Sequence, residues 1–528
     1  MRQVVAEFRR RDPDAVVVID DSGSHTAREL LRHASPLAGT VLLQADNTWR
    51  TVAATLAVGL GGGTLALVNR HTTAAEFAAA YEDIQPDVVV AEPAALAEWG
   101  VPGDRDTEAF DGWVARSAPG GGRDVSRWGG GVLIGLTSGS TGRAKGVVQS
   151  EDALRYATAQ TIAINGLRPG DAVAAIVPLS STAAYCFGVY LALALGGPLV
   201  LWDRWDPAAT LPRMAEAEVR WTMCVPTMAL RLGTAAAGSA VLRGVRAITV
   251  GGGPMDAGAL RRAEQSLGTR ILRVFGMSEC LGHTSPSPGD PVEIRLGRDG
   301  RPFPGTELRA VDADGHPVGP GQVGRAQVRG PSLFLGYARG GKLDPPDLTA
   351  DGFLPTGDLL VTDPDGTVTI MGREKDVIIR GGRNIDITEV ERAIASHPRV
   401  AQVCVAPVPD EVLGERAAAL VVVAGGGELT LDEVTAYLRE RGLSKAKWPE
   451  YVFAVADLPQ TKVGKLSRAE ARSLAASLAA SSSASSAASS PASSAVSPAA
   501  SLAASSAASS AVSSPASSAA SSAGEGTA

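Results

Sequence analysis

The segment TSGSTGRAKGV, residues 137–147, combines the residue types that bind anions. It contains four Ser or Thr hydroxyls, three glycines and Lys145. Glycines let backbone N–H groups approach a phosphate, hydroxyls add donors, and a lysine supplies a compact positive charge. The alternative is an ordinary Gly/Ser-rich surface turn. A buried-strand pattern directly before the segment, GVLIGL, favours a phosphate-binding loop.

The spacing excludes the Walker A phosphate loop, which requires G-x-x-x-x-G-K-[ST]. Gly139 and Gly142 are too close together, and Lys145 is followed by Gly146. The sequence therefore predicts a polyphosphate site of another kind.

Composition limits the remaining classes. The chain has 528 residues, 45% of them hydrophobic, so more than one domain is expected. A net charge of -7 gives no electrostatic footprint for nucleic acid. There is no apolar run of transmembrane length and no signal-peptide pattern. Four widely separated cysteines and six scattered histidines predict reduced thiols in a cytoplasmic protein rather than disulfides or a zinc site.

The hydrophobic pattern predicts an α/β protein. Short apolar runs alternate with helical patterns up to about residue 285, which is typical of parallel sheets. Alternating strands with Asp/Gly/Pro turns follow from about residue 291 and indicate a small β-rich subdomain. A small α+β unit comes next. The predicted divisions are a large N-terminal domain 1–371, a hinge 372–376, a C-terminal domain 377–472 and a disordered tail 473–528.

The tail is almost entirely Ala and Ser with occasional Pro. Serine and proline oppose helix formation, and the pattern offers no apolar face to bury. We therefore expect truncation after Arg472 to leave activity and melting temperature unchanged.

Six segments at ordered positions resemble the adenylate-forming superfamily, in which the closest likeness is to acyl- and aryl-CoA synthetases of the alicyclic and medium-chain acid type. TSGSTGRAKGV is similar to the phosphate loop of that superfamily. The other segments are VGGGPM (250–255), FGMSE (275–279), TGD (356–358), GREKDVIIRGGRNIDITEVE (372–391) and PQTKVGK (459–465). The likeness extends over about residues 10–470.

The resemblance implies specific roles for residues in these segments. Lys465, Glu279 and Lys145 would be catalytic, with Glu279 also holding Mg²⁺. Lys375 would be the hinge residue of a mobile C-terminal domain, and Gly381 and Gly382 would line a thiol channel. ATP or AMP would contact Thr137, Ser138, Gly139, Ser140, Thr141, Gly142, Lys145, Gly251, Gly252, Gly253, Phe275, Gly276, Ser278, Asp358 and Arg373.

Simpler interpretations exist for several of these residues. Glu279 alone would more often be a surface residue at a turn, and Asp358 would form an Asx-turn. Arg373 would contact ribose or form a structural ion pair, and Phe275 would be a core residue.

The implied chemistry has two steps. A carboxylic acid attacks the α-phosphate of Mg·ATP, which gives an acyl-adenylate and pyrophosphate. Lys465 would orient this attack, and Lys145 would hold the pyrophosphate. The acyl group is then passed to a thiol, with CoA as the expected co-substrate.

The acid pocket departs from the family pattern. The family segment Pro-Leu-x-His-Thr-Gly-Gly reads PLSSTAA here, so Ser181 replaces a histidine beside the reacting carboxylate. We expect Ser181 and Tyr185 to line this pocket and to favour a ring-bearing or polar acid.

Three functional classes remain open at this stage. The first is an acyl- or aryl-CoA ligase. The second is a stand-alone adenylation enzyme that serves a carrier protein or another nucleophile such as an amine. The third is a non-catalytic nucleotide-binding relative, against which the presence of Lys145, Glu279, Asp358 and Lys465 argues.

Overall fold

A computed structural model of the protein describes residues 1–103, 105–119, 122, 124–137, 144–253, 255–381 and 383–488. Helices alternate with strands along the N-terminal part, as the hydrophobic pattern predicts, and most of these strands form two large β-sheets. The longer helices of this part are Trp49–Gly61, Ala74–Ile84, Glu151–Asn165, Pro207–Glu216, Pro226–Ala236 and Ala257–Leu267. The shorter helices are Arg2–Phe8, Ala27–His33, Pro93–Glu98 and Val292–Gly297.

The first sheet has seven strands, and all neighbouring pairs but one are parallel. In spatial order its strands are Ile271–Arg273, Ala247–Val250, Val219–Cys224, Ala172–Ala175, Leu199–Leu201, Val16–Asp20 and Gly23–Thr26. The carboxyl ends of neighbouring parallel strands meet at one edge of a sheet, where ligands of α/β proteins usually bind. The segments that begin at Val225 and Gly251 therefore start from the same edge.

The second sheet has nine strands, with a parallel centre and antiparallel flanks. In spatial order its strands are Lys342–Asp344, Gly336–Arg339, Lys145–Ser150, Gly131–Thr137, Thr64–Val68, Thr40–Gln44, Val88–Ala91, Trp113–Ser117 and Asp106–Phe110. The strands Gly131–Thr137 and Lys145–Ser150 form the antiparallel pair on either side of the predicted phosphate loop.

Two small antiparallel sheets follow in the β-rich part of the chain. One contains Phe275–Met277, Cys280–Ser285 and Arg301–Pro302. The other contains Glu307–Val311, Val323–Arg329, Leu354–Thr362 and Val368–Arg373. These sheets position Glu279 in a turn and Asp358 opposite Arg373.

The C-terminal sheet has five strands and its own hydrophobic core. Its strands are Arg383–Asp386, Val377–Arg380, Gly414–Val423, Val400–Asp410 and Tyr451–Ala454, and the helices Ile387–Ala395 and Leu431–Glu440 accompany them. The core residues of this part, from Ile378 onward, cluster separately from those of the N-terminal part. This separation is consistent with a domain boundary near 372–376, which stays a prediction.

The four cysteines are free and buried, and burial raises the pKa of Cys224, Cys280 and Cys404 to about 12. Such thiols are unreactive at neutral pH. Within the described ranges, no helix combines the length and apolar character needed to cross a membrane.

The start of the predicted tail is wrong, because a helix occupies Arg468–Ala488. Ala471, Ala475 and Ala479 are buried in a cluster with Cys404, Leu420 and Leu458. Their spacing of four residues places them on one face of the helix. Alanine is small enough to bury without any strongly apolar pattern, which is why composition alone concealed this face.

Truncation after Arg472 is therefore expected to lower the melting temperature, contrary to the expectation from composition. The loss removes Leu474, Ala475 and Leu478 from the cluster. Removal of buried aliphatic groups typically lowers the free energy of unfolding by about 2–5 kcal/mol. Urea denaturation of the full chain and of the truncated chain measures the difference in the free energy of unfolding, and thermal denaturation measures the difference in melting temperature.

A matched pair of point variants tests the same face. Ala475→Asp places a charge in the core, whereas Ala480→Asp changes an exposed position of the same helix. We expect Ala475→Asp to lower the free energy of unfolding strongly and Ala480→Asp to leave it nearly unchanged. Equal effects would contradict the assignment of a buried helix face.

Candidate active site

The phosphate-loop segment is anchored by a strand pair at both of its ends. Thr137 lies directly opposite Lys145, and the Thr137 hydroxyl is 3.4 Å from the Lys145 carbonyl oxygen. The predicted contacts Ser138, Gly139, Ser140, Thr141 and Gly142 lie outside the described residues. Thr137 thus ends one strand of the pair, and Lys145 begins the other.

Glu279 lies in the turn between Phe275–Met277 and Cys280–Ser285, next to Ser278. The Tyr337 hydroxyl donates a hydrogen bond to Glu279 Oε1 at 3.0 Å. The Nζ atom of Lys145 lies 5.1 Å from the centre of the Tyr337 ring. Gln149 Nε2 donates to the Ser278 carbonyl at 2.7 Å, which ties the Lys145 strand to the turn. Tyr337 therefore contacts both Lys145 and Glu279.

Asp358 and Arg373 form an ion pair across two antiparallel strands. They are directly opposite each other, with 3.2 Å between Arg373 Nε and Asp358 Oδ1. Asp358 is buried and Arg373 is exposed. Burial raises the pKa of Asp358, and the Arg373 charge opposes this rise. Of the two interpretations of Arg373, the structure contains the ion pair, which leaves the rest of the guanidinium available to a ligand.

Lys465 projects from a closed loop toward Gly252. The Thr461 amide donates to the Lys465 carbonyl at 2.6 Å, and the Gly464 amide donates to the Thr461 carbonyl at 2.8 Å. A Cβ atom on Gly252 would lie 2.8 Å from Lys465 Cε and 3.3 Å from Nζ. Gly252 also has φ 86°, in the left-handed region that favours glycine. The backbone at position 252 therefore favours glycine, and a side chain there would displace the end of Lys465.

Two other predicted residues, Arg373 and Glu279, interact electrostatically with Lys465. Burial and the positive charge of Arg373 lower the pKa of Lys465, and the carboxylate of Glu279 opposes this shift. Lys465, Arg373 and Glu279 are thus close enough to interact, although 186 positions separate Glu279 from Lys465 in the chain. The fold brings these predicted residues together around one space.

Contacts on both sides hold the Lys465 loop against the N-terminal part. The Thr227 hydroxyl donates to the Gly464 carbonyl at 3.3 Å, and Lys462 forms an ion pair with Glu76. Arg231 and Asp457 form a second ion pair at 3.0 Å. Thr227 and Arg231 belong to the helix Pro226–Ala236, which starts at the ligand edge of the first sheet.

The remaining predicted nucleotide contacts lie directly after one strand or within another. Gly251 and Gly253 flank Gly252, directly after the strand Ala247–Val250. Gly276 is exposed, and the neighbouring Phe275 is partly exposed with its ring 5.0 Å from that of His283 in an edge-to-face arrangement. Phe275 is therefore not fully a core residue.

Ser181 and Tyr185, the two predicted acid-pocket residues, differ in exposure, and the role of Ser181 in the pocket stays a prediction. Ser181 is partly exposed at the start of the helical segment 182–195. Tyr185 is fully buried, and its hydroxyl lies 3.0 Å from the Thr55 hydroxyl and 3.1 Å from Met1 Sδ. The assignment of Tyr185 to the pocket wall is corrected, because its hydroxyl finds its partners in the core.

The neighbouring Thr182 packs against the strand that leads to the phosphate segment. A Cβ atom on Gly135 would lie 1.9 Å from Thr182 Oγ1. The segment that starts at Ser181 is therefore close to the strand Gly131–Thr137, as an acid pocket beside a phosphate site requires.

The hinge and thiol-channel residues lie apart from this cluster in the described contacts. Lys375 is exposed between Glu374, which pairs with Arg325 at 3.3 Å, and Asp376, which pairs with Arg468 at 3.0 Å. Gly381 has φ 56°, and its amide donates to the Leu413 carbonyl at 2.8 Å. Gly382 lies outside the described residues.

The sequence reasoning missed Tyr337, Gln149 and Thr227. None of them lies in a segment with an anion-binding composition, and each acts through one contact made by the fold. A single tyrosine in a strand pattern carries no signal that distinguishes this role from packing.

Known proteins share this architecture. Triostin synthetase I of Streptomyces triostinicus is 37% identical over 348 residues, which cover 65% of this chain and 65% of that protein. A salicylyl-CoA synthase / salicylate adenylyltransferase of Streptomyces sp is 35% identical over 344 residues, covering 64% and 62%. The matches span less than two thirds of the length of either relative.

A solved structure extends the likeness over more of the chain. The amide bond synthetase McbA from Marinactinospora thermotolerans superposes with a TM-score of 0.74 at 25% identity, covering 89% of this chain and 99% of that one. The sequence profile of the AMP-binding enzyme matches residues 5–338, and that of the AMP-binding enzyme C-terminal domain matches residues 389–465. These matches show that the chain belongs to the AMP-binding enzyme family.

Proposed function

We propose that this protein activates a carboxylic acid with ATP, forming an acyl-adenylate and releasing pyrophosphate. The observation that carries the proposal is the meeting of Lys465, Arg373 and Glu279 beside Gly252. Among the described residues Lys465 forms no ion pair, although burial lowers its pKa, and a desolvated charge is costly when it is unpaired. A nucleotide with its phosphates supplies the matching negative charge.

The roles of the residues follow from their places. Asp358 accepts hydrogen bonds from the ribose hydroxyls, and Arg373 orients that carboxylate through their ion pair. The Lys465 ammonium stabilises negative charge that develops on the α-phosphate as the acid carboxylate attacks. Lys145 holds the departing pyrophosphate, and the glycines 251–253 let the nucleotide base approach the backbone.

The carboxylate of Glu279 fits a magnesium site. Its Oε1 atom accepts from Tyr337, and within the described residues no group donates to Oε2. Mg²⁺ is usually bound by one or two carboxylates together with substrate phosphates and water. When bound, the ion would neutralise the charge of the phosphates, and Glu279 would be its protein ligand.

The acyl group is then transferred to CoA in the proposed reaction, through a channel beside Gly381 and Gly382. The alternative acceptor is a carrier protein or an amine. Two observations favour the alternative: Ser181 replaces the family histidine beside the reacting carboxylate, and the McbA structure is described as an amide bond synthetase. Either acceptor uses the same adenylate, and we propose a cytoplasmic location for the reaction.

Product analysis tests the proposed function. The protein is incubated with Mg·ATP and a panel of aliphatic, alicyclic and aromatic acids, with CoA, a carrier protein or an amine added in separate reactions. Mass spectrometry is expected to detect an acyl-adenylate, and one of the three acceptors yields an acyl product. The proposal would be overturned if the protein binds ATP but forms neither AMP nor an acyl-adenylate with any of the acids.

Replacement of Lys465 separates chemistry from binding. Lys465→Ala is expected to lower the rate of acid-dependent ATP–pyrophosphate exchange by about 10²–10³-fold, the usual effect of removing a group that stabilises developing charge. The Kd for ATP changes little, because interactions made in the transition state contribute little to ground-state affinity. Lys445→Ala, an exposed lysine of the same part of the chain, is the control. Exchange at the wild-type rate in Lys465→Ala would remove Lys465 from the mechanism.

Ser181 is the residue through which acid selection is tested. The proposed substrate is a ring-bearing or polar acid, in line with the salicylate named for one relative. Ser181→His is expected to change the order of kcat/KM among the acids more than the KM for ATP. A wild-type preference of about tenfold, or about 1.4 kcal/mol, for straight-chain acids of ten or more carbons would refute the pocket argument alone.

A further inference from the structure

Tyr337 makes the contact that joins two of the proposed catalytic groups. It belongs to the strand Gly336–Arg339, where it lies directly opposite Val147 in the strand that begins with Lys145. Its hydroxyl lies 3.0 Å from Glu279 Oε1, and its ring centre lies 5.1 Å from Lys145 Nζ. Phe334 packs against the ring edge-to-face at 4.8 Å and helps to fix its orientation.

The protonation state of the pair gives the hydrogen bond one direction. An ordinary phenol has a pKa of about 10, and the Tyr337 hydroxyl lies 3.0 Å from Glu279 Oε1. The phenol therefore stays protonated at neutral pH and donates to the carboxylate. A hydrogen bond to one carboxylate oxygen restricts the rotamers of the glutamate. Less side-chain entropy is then lost when the other oxygen binds a cation.

We propose that Tyr337 is a positioning residue that holds Glu279 as a one-oxygen ligand for the divalent cation of bound ATP, and that holds Lys145 above its ring. This inference rests on the proposed function. The hydroxyl serves the carboxylate and the ring face serves the ammonium, so the two roles belong to different atoms of one side chain. Removing the hydroxyl alone disturbs the cation ligand and spares the lysine contact.

The test measures ATP affinity by titration calorimetry, in Mg²⁺ and separately in EDTA, without any acid substrate. Tyr337→Phe is expected to weaken ATP binding by about tenfold in Mg²⁺, the equivalent of about 1.4 kcal/mol, and to leave binding in EDTA unchanged. Tyr337→Leu removes the ring as well and is expected to weaken binding under both conditions.

A control and a double mutant exclude a general structural effect. Tyr156→Phe removes a hydroxyl that donates to the Pro304 carbonyl at 2.8 Å outside this cluster, and is expected to change neither affinity. In the Glu279→Gln background, Tyr337→Phe should produce no further loss in Mg²⁺, because the two residues act through one ligand.

The outcomes separate the two proposals. If wild-type protein binds Mg·ATP and Tyr337→Phe binds it equally well, or loses equal affinity in Mg²⁺ and in EDTA, the positioning role is overturned and the proposed function stands. Additive losses in the Glu279→Gln background would overturn the role as well. If wild-type protein binds no ATP under either condition, the proposed function fails, and this inference fails with it.

Discussion

The approach of Lys465 to Gly252 is the constraint on which the candidate site depends. A Cβ atom at position 252 would lie 2.8 Å from Lys465 Cε, so a side chain there would displace the end of the lysine. Its loop has to be held there, and the contacts made by Thr227, Glu76 and Arg231 do so from the N-terminal part. Each exposed ion pair contributes little by itself, about 0–1 kcal/mol. Together with the closed loop they select one placement of the lysine.

Electrostatics explains why this placement is suited to a phosphate ligand. Burial lowers the pKa of Lys465, repulsion from Arg373 lowers it further, and the carboxylate of Glu279 opposes both effects. A polyanion that enters this space would offset the repulsion between Lys465 and Arg373 and would raise the pKa of Lys465 toward its ordinary value. The same ligand would meet Lys145, whose position depends on the ring of Tyr337. Charge and backbone shape therefore favour the same class of ligand.

The helix Arg468–Ala488 illustrates the difference between composition and packing. Most of this segment is Ala and Ser, yet three alanines four residues apart are buried against the C-terminal sheet, with Leu474 and Leu478 packed beside them. Small side chains permit close approach and leave almost no hydrophobic pattern. Tyr185 is the opposite case: an aromatic residue next to the proposed pocket is directed into the core by the Thr55 hydroxyl.

Beyond the segments that resemblance to the adenylate-forming superfamily indicated, the sequence by itself determined the α/β class, the change to a β-rich part, and the anion-binding composition of residues 137–147. These depend on local properties: hydrophobic periodicity, and glycine, hydroxyl and lysine spacing within a few positions. Only the tertiary structure decided that Lys465 lies near Glu279 and Arg373, that Tyr337 joins Glu279 to Lys145, and that Tyr185 is buried. Each of these contacts joins residues far apart in the chain, and its existence depends on how sheets and loops pack, which no local pattern records.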